Sequence, residues 1–213
     1  MRDVKGSYYK VRTEKTIRNL KEHGFNAVFV QTAKEAKDTI LDMISTDMSV
    51  GVGGSVTVRS IGVIEELKAR GNVVFDHWQD GLTPEESLEI RRAQLTSDIF
   101  LSSTNAITLS GVLVNIDGCG NRAASMMFGP KKVIVVAGVN KIAENIEDGI
   151  KRVRNVAAPL NSIRLNKKNS CNYTGTCGDC KTTDRICKIT TIIERKPDFT
   201  DFDVVLVGED LGY

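Results

Sequence analysis

From Asn26 to about Ala158 the chain alternates apolar runs of strand length with amphipathic stretches, and this rhythm commits it to a parallel sheet covered by helices. The predicted strands are "NAVFV" at 26–30, "SVGVG" at 49–53, "NVVFD" at 72–76, "DIFLSS" at 98–103 and "KVIVVAG" at 132–138. A helix is expected at about 6–23 ahead of them. Others fit between. Thr32 and Glu35 have capping-box spacing, and Ala33, Ala36, Ile40 and Met43 follow along one face. Thr83 and Glu86 repeat the box, with Pro84 at the first helical position. From Lys141 onward, Ile142, Ile146, Ile150 and Val153 predict a helix with one buried stripe.

Two places depart from the rhythm. In "TNAITLSGVLVN" two β-prone runs flank Ser110 and Gly111, so a hairpin is expected before the next crossover. Beyond Pro159 come a polar, basic, cysteine-rich loop at 159–188 and the strand candidates "ITTIIE" at 189–194 and "DVVLVG" at 203–208. The expected organisation is one domain over 1–213, with the α/β core at about 26–158 and the terminal strands within 189–213.

With 213 residues, 41% of them hydrophobic, the chain is long enough to bury a core without disulfides. A formal charge of +2 argues against a dedicated nucleic-acid binder. The charge is uneven, however. No acidic residue lies between Asp148 and Asp179, while Lys151, Arg152, Arg154, Arg164, Lys167 and Lys168 are basic. That stretch is either a solvated helix end and loop or a seat for an anionic ligand or acidic partner. "MRDVKGSYYK" has no apolar core for a signal peptide, and no run approaches the roughly 18 apolar residues of a membrane span. A soluble cytoplasmic protein without membrane contact is the expectation, with oligomerisation left open.

Two stretches can carry chemistry. "SVGVGGSVTVRSIGVIEEL" runs a short strand into Gly51, Gly53, Gly54 and Ser55 and then into a helix bearing Val58, Ile61, Ile64 and Leu67. Backbone N–H groups at such a turn can seat a phosphate or carboxylate, although neither a Walker loop nor the dinucleotide fingerprint is present. The glycines can equally serve a tight turn alone. "VNIDGCGNRAASMMFGPKKV" gathers Asn115, Asp117, Asn121 and Arg122 where a strand is expected to end, which is where open parallel sheets bind ligands. An acid, an amide and a guanidinium there can move a proton and hold an anion, or can form an Asx turn and a structural ion pair. Cys119 is expected to be a small buried thiol.

Four of the five cysteines, Cys171, Cys177, Cys180 and Cys187, fall within 17 residues. Their thiolates can surround one tetrahedral zinc ion or one iron–sulfur cluster, while unliganded structural thiols and a redox-active Cys-x-x-Cys remain the alternatives.

The stretches "GVGGSVTVRSIGVIEEL", "TNAITLSGVLVNIDGCGNRAASMMFGPKKVIVVAGVNKI" and "CNYTGTCGDCKTTDRIC" together resemble the lactate-utilisation, or LUD, domain family, from roughly residue 5 to the end. That family shares the fold of the ribose-phosphate isomerase, glucosamine-phosphate deaminase and CoA-transferase group. The resemblance implies a three-layer α/β/α fold with a mostly parallel sheet, and a cleft faced by the glycine turn, the Asn105 region and the Asp117 loop. It also implies a role in L-lactate oxidation to pyruvate with iron–sulfur oxidoreductase partners. In the related isomerases and transferases a carboxylate works beside a glycine-rich anion loop. By that resemblance Asp117 is the expected acid/base group, and Gly53, Gly54, Ser55, Asn105, Asn121 and Arg122 the expected binders of a small anionic metabolite. Isomerase-like proton transfer or acyl transfer is favoured over hydride transfer. The competing expectation is a non-catalytic accessory subunit that docks a redox partner through its cysteine-rich tail. The ferredoxin-like cysteine run of the iron–sulfur subunit is absent.

Overall fold

The computed structural model describes residues 4–213, and the first three residues of the domain expected over 1–213 lie outside the described residues. Along the chain run α1 (Val4–Glu22), β1 (Asn26–Val30), α2 (Ala33–Asp42), β2 (Val50–Val52), α3 (Val56–Ser60), α4 (Val63–Ala69) and β3 (Val74–Asp76). Then follow α5 (Pro84–Gln94), β4 (Ile99–Ser102), β5 (Ala106–Thr108), β6 (Leu113–Asp117), α6 (Asn121–Met127) and β7 (Lys132–Gly138). A 3-10 turn (Val139–Lys141), β8 (Ile142–Ala143), α7 (Ile146–Arg152), a π turn (Val153–Ala157) and α8 (Ala158–Arg164) come next. The chain then passes through α9 (Cys171–Thr174), β9 (Ile189–Ile193) and β10 (Asp201–Val207).

The first sheet has the order β1-β10-β7-β4-β2-β3 with every pair parallel. Its inner strands are apolar throughout because both faces are covered. In β10, Val205 and Val207 join a core with Ile40, Val58 and Leu67 of α2, α3 and α4. The alternate residues Phe202, Val204 and Leu206 join Leu20 of α1, Met126 of α6 and Ile107, Leu113 and Ile193 of the second sheet. The architecture is thus three-layered. The second sheet, β8-β5-β6-β9, contains the expected hairpin: β5 and β6 pair antiparallel, and Gly111 takes φ +79° in the turn. The outer face of this sheet is covered by residues such as Val153 and Ala157 of the π turn.

The caps behave as their side chains dictate. Thr32 accepts from Glu35 N, and Thr83 and Glu86 form a full capping box with Pro84 behind it.

Three expectations change. The glycine-turn helix is broken into α3 and α4 at Gly62, whose φ of +70° suits glycine, although Val58, Ile61, Ile64 and Leu67 all remain buried. The stripe from Lys141 is not one helix. Ile142 pairs with Ile107, and helix begins only after Asn145, whose side chain accepts from Asp148 N. Third, the 159–188 loop is partly helical. Pro159 lies near the start of α8 without ending the helical path, because the preceding π turn changes the hydrogen-bond spacing around its missing amide. No helix among the described residues is long and apolar enough to cross a membrane.

Candidate functional site

A cleft of about 440 Å³ opens at the carboxyl ends of the central parallel strands. Gly54 and Ser55 after β2, Asn105 after β4, Asp117 at the end of β6, and Asn121 and Arg122 at the start of α6 all line it. Six of the seven expected cleft residues are therefore brought together.

Gly53 is the exception, because it packs against β4 behind the cleft. A Cβ there would lie 2.7 Å from Ser102 Oγ and 3.1 Å from Phe100 Cζ. At Gly54 a Cβ would lie 2.8 Å from the Trp78 indole nitrogen. Neither glycine has a positive φ, so close approach, not a left-handed turn, is what requires them. The Ser55 hydroxyl accepts from Val58 N at 3.2 Å and so caps α3.

Both oxygens of Asp117 are occupied. Oδ1 accepts from Arg122 Nε at 2.7 Å and also from Arg122 Nη2, and Oδ2 accepts from Ala123 N at 2.8 Å. Arg122 Nη2 donates as well to Asn105 Oδ1 at 2.8 Å and to Ile116 O at 3.1 Å. Asn105 in turn is clamped, its N–H donating to Asn115 Oδ1 and its Oδ1 accepting from Ile116 N. Asp117 and Asn105 thus hold Arg122 in place, whereas Arg122 Nη1 makes no hydrogen bond among the described residues.

The group that the sequence reasoning missed is Lys141, on the turn after β7. It is only 3% exposed, and its ammonium donates to Thr57 Oγ1 at 2.8 Å and Ser103 Oγ at 2.9 Å. Among the described residues it has no carboxylate partner. Burial, with the like charges of Arg152 and Arg122, brings its pKa down to about 7. His77 was missed too. Burial and then the charge of Arg91 push it down to about 4, so the imidazole is neutral near pH 7. Gln94 Nε2, which donates to Val52 O and Phe75 O, lies 2.9 Å from His77 Nδ1. Beside it, the Trp78 ring contacts two guanidinium groups, Arg59 at 4.7 Å and Arg164 at 4.1 Å from its centroid. A signal for these residues was present: His77 and Lys141 follow closely on predicted strands and Ser103 ends one, and the carboxyl-end rule applied to every strand would have flagged them. Arg91, Arg122, Lys141, Arg164 and Lys167 line the cleft beside a single Asp or Glu side chain, Asp117, which Arg122 already pairs; Lys167 has Asp184 at 4.0 Å, and negative charge at Tyr213, which also lines the cleft, offsets Arg164 in part.

Cys119 is exposed at the cleft and not buried as expected, because the loop between β6 and α6 faces solvent there. Cys187 also lines the cleft. The segment around it is no outlying tail: Lys188 N donates to Asp117 O at 2.9 Å, and a Cβ on Gly118 would lie 3.1 Å from Ile186 O. The cysteine-rich stretch is thereby a wall of the cleft. The Cys187 thiol is pushed up to about 11 by burial, and then by its neighbours Cys177 and Cys171. Among the described residues no three His, Cys, Asp or Glu side chains stand ready-made around a metal position.

A family model described as "LUD domain" matches residues 13–207. Among solved structures, the crystal structure of a DUF162 family protein from Deinococcus radiodurans superposes with a TM-score of 0.52 at 15% identity. The alignment covers 95% of this chain and 98% of that one, and the likeness is one of fold. The curated proteins contain no match.

Proposed function

Because this chain belongs to the LUD domain family, we propose that it serves L-lactate utilisation, binding a small anionic metabolite in the cleft at the carboxyl edge of its sheet. In this reading it works with iron–sulfur partner subunits in the oxidation of L-lactate to pyruvate. Lys141 is the observation that carries it. A buried ammonium with two hydroxyl acceptors, no carboxylate, and the charges of Arg122 and Arg152 close by makes a site one negative charge short. A ligand carboxylate or phosphate supplies that charge and receives donors that already point from fixed elements. Binding then raises the Lys141 pKa, since an adjacent anion favours its protonated form.

The roles divide by geometry. Arg122, oriented by Asp117 and Asn105, offers its free Nη1 to the anion. Acid/base work belongs to Lys141 in preference to Asp117, because an amine with a pKa of about 7 can both give and take a proton near neutrality. Asp117, with both oxygens accepting, is a positioning residue. A thermal-shift screen of L-lactate, pyruvate, phosphosugars and acyl-CoA tests the proposal. A small carboxylate should raise the melting temperature of the wild type but not of Lys141→Met. Absence of a shift with every compound would overturn metabolite binding.

A further inference from the structure

On the far side of Cys187 from the metabolite cleft lies a second, much smaller cavity, of about 20 Å³. Cys171, Cys177, Cys180 and Cys187 all line it, contributed by α9, the Cys-x-x-Cys turn and the strand approach to β9. All four are free thiols. The loop that carries them around this cavity is tight: Gly175 takes φ +71°, Asp179 takes φ +46°, and Gly178 packs so closely that a Cβ would lie 3.0 Å from Ser170 Oγ. That Ser170 hydroxyl is a second observation. It lines the same cavity and is buried without a hydrogen-bond partner, although a hydroxyl beside a thiolate sulfur would have a natural acceptor.

We propose that this cavity is the site of a single zinc(II) ion held tetrahedrally by the thiolates of Cys171, Cys177, Cys180 and Cys187. The all-sulfur donor set suits zinc. Asp179 is already engaged by Arg185 at 2.7 Å, which leaves no free carboxylate at the cavity to favour a harder cation. Binding releases four thiol protons and leaves a centre of charge −2. Of the two arginines that line the cavity, Arg185 is paired with Asp179, and Arg154, from the basic stretch after Asp148, offsets part of that charge. The four sulfurs are not yet gathered around a point, so the ion itself draws them in. Cys180 Sγ, which as a thiol donates to Asn169 Oδ1 at 3.4 Å, gives up that bond on deprotonation. Because Ile186 and Cys187 also line the metabolite cleft, the ion fixes one of its walls. The site is nonetheless independent of what the cleft binds.

The test is elemental analysis of full-length protein purified anaerobically without chelator, together with the absorption spectrum after cobalt(II) exchange. The expected result is about one zinc per chain and a cobalt spectrum with thiolate charge-transfer and tetrahedral ligand-field bands. Cys177→Ser and Cys187→Ser should lower zinc content, and Cys119→Ser should retain it. Since a serine variant can fail through misfolding, the wild-type measurements decide the question. Zinc well below one per chain with freely reactive thiols, an octahedral cobalt spectrum, or the visible absorption of an iron–sulfur cluster would each overturn the proposal.

Discussion

Lys141 is unusual because its ammonium is buried without a counterion, and this has a thermodynamic signature. In the unfolded chain the amine titrates near its ordinary value of 10.5, whereas in the fold it does so at about 7. Between those values the unfolded chain holds one more proton than the folded one, so raising the pH favours the fold by up to about 1.4 kcal/mol per unit from this group. Below pH 7 both states are protonated and the slope vanishes. Urea unfolding of wild type and Lys141→Met at a series of pH values should show the difference moving in favour of the wild type from pH 7 to 9. A constant difference would mean that Lys141 is not buried as a cation. The neighbouring network has a complementary sensitivity. Asp117→Asn removes a charged acceptor from Arg122, so anion binding should weaken by roughly 10-fold, about 1.4 kcal/mol, as Arg122 loses its fixed orientation. Calorimetry would register the loss, and circular dichroism should stay unchanged.

At the scale of elements, the turn between β2 and α3 shows what was legible and what was not. The strand, the glycines and the helix start could be read from "SVGVGGSV", because propensity is local, whereas the role of Ser55 as the cap of α3 came from the structure. The reason for Gly54 could not, because it lies in Trp78, which follows β3 and is distant in sequence. The same holds for Ile142, where tertiary pairing with β5 overrides a helical period, and for the π turn that carries the chain past Pro159. Gly54→Ala should push the indole from its contacts with Arg59 and Arg164. Trp78 is the chain's sole tryptophan, so its fluorescence reports the displacement directly. An unaltered emission spectrum in that variant would argue that the contact yields without moving the ring.

For the whole molecule, the alternation of strands and helices sufficed to place the sheet and its carboxyl edge, while the gathering of Ser55, Asp117 and Arg122 in one cleft was implied by the family resemblance. The imbalance of charge in the cleft was hidden, since its cations come from α5, α6, the turn after β7 and α8, which no short motif spans. That imbalance predicts affinity for an anion that falls as ionic strength rises, to the extent that the cleft is open to solvent. The most direct test of the central claim is calorimetric titration of L-lactate or pyruvate at pH 8 in buffers of different ionisation enthalpy. The anion should take up close to one proton on binding as Lys141 becomes charged, and Lys141→Met should lose both the uptake and most of the affinity. Binding without proton uptake, or unchanged binding in the variant, would contradict the account.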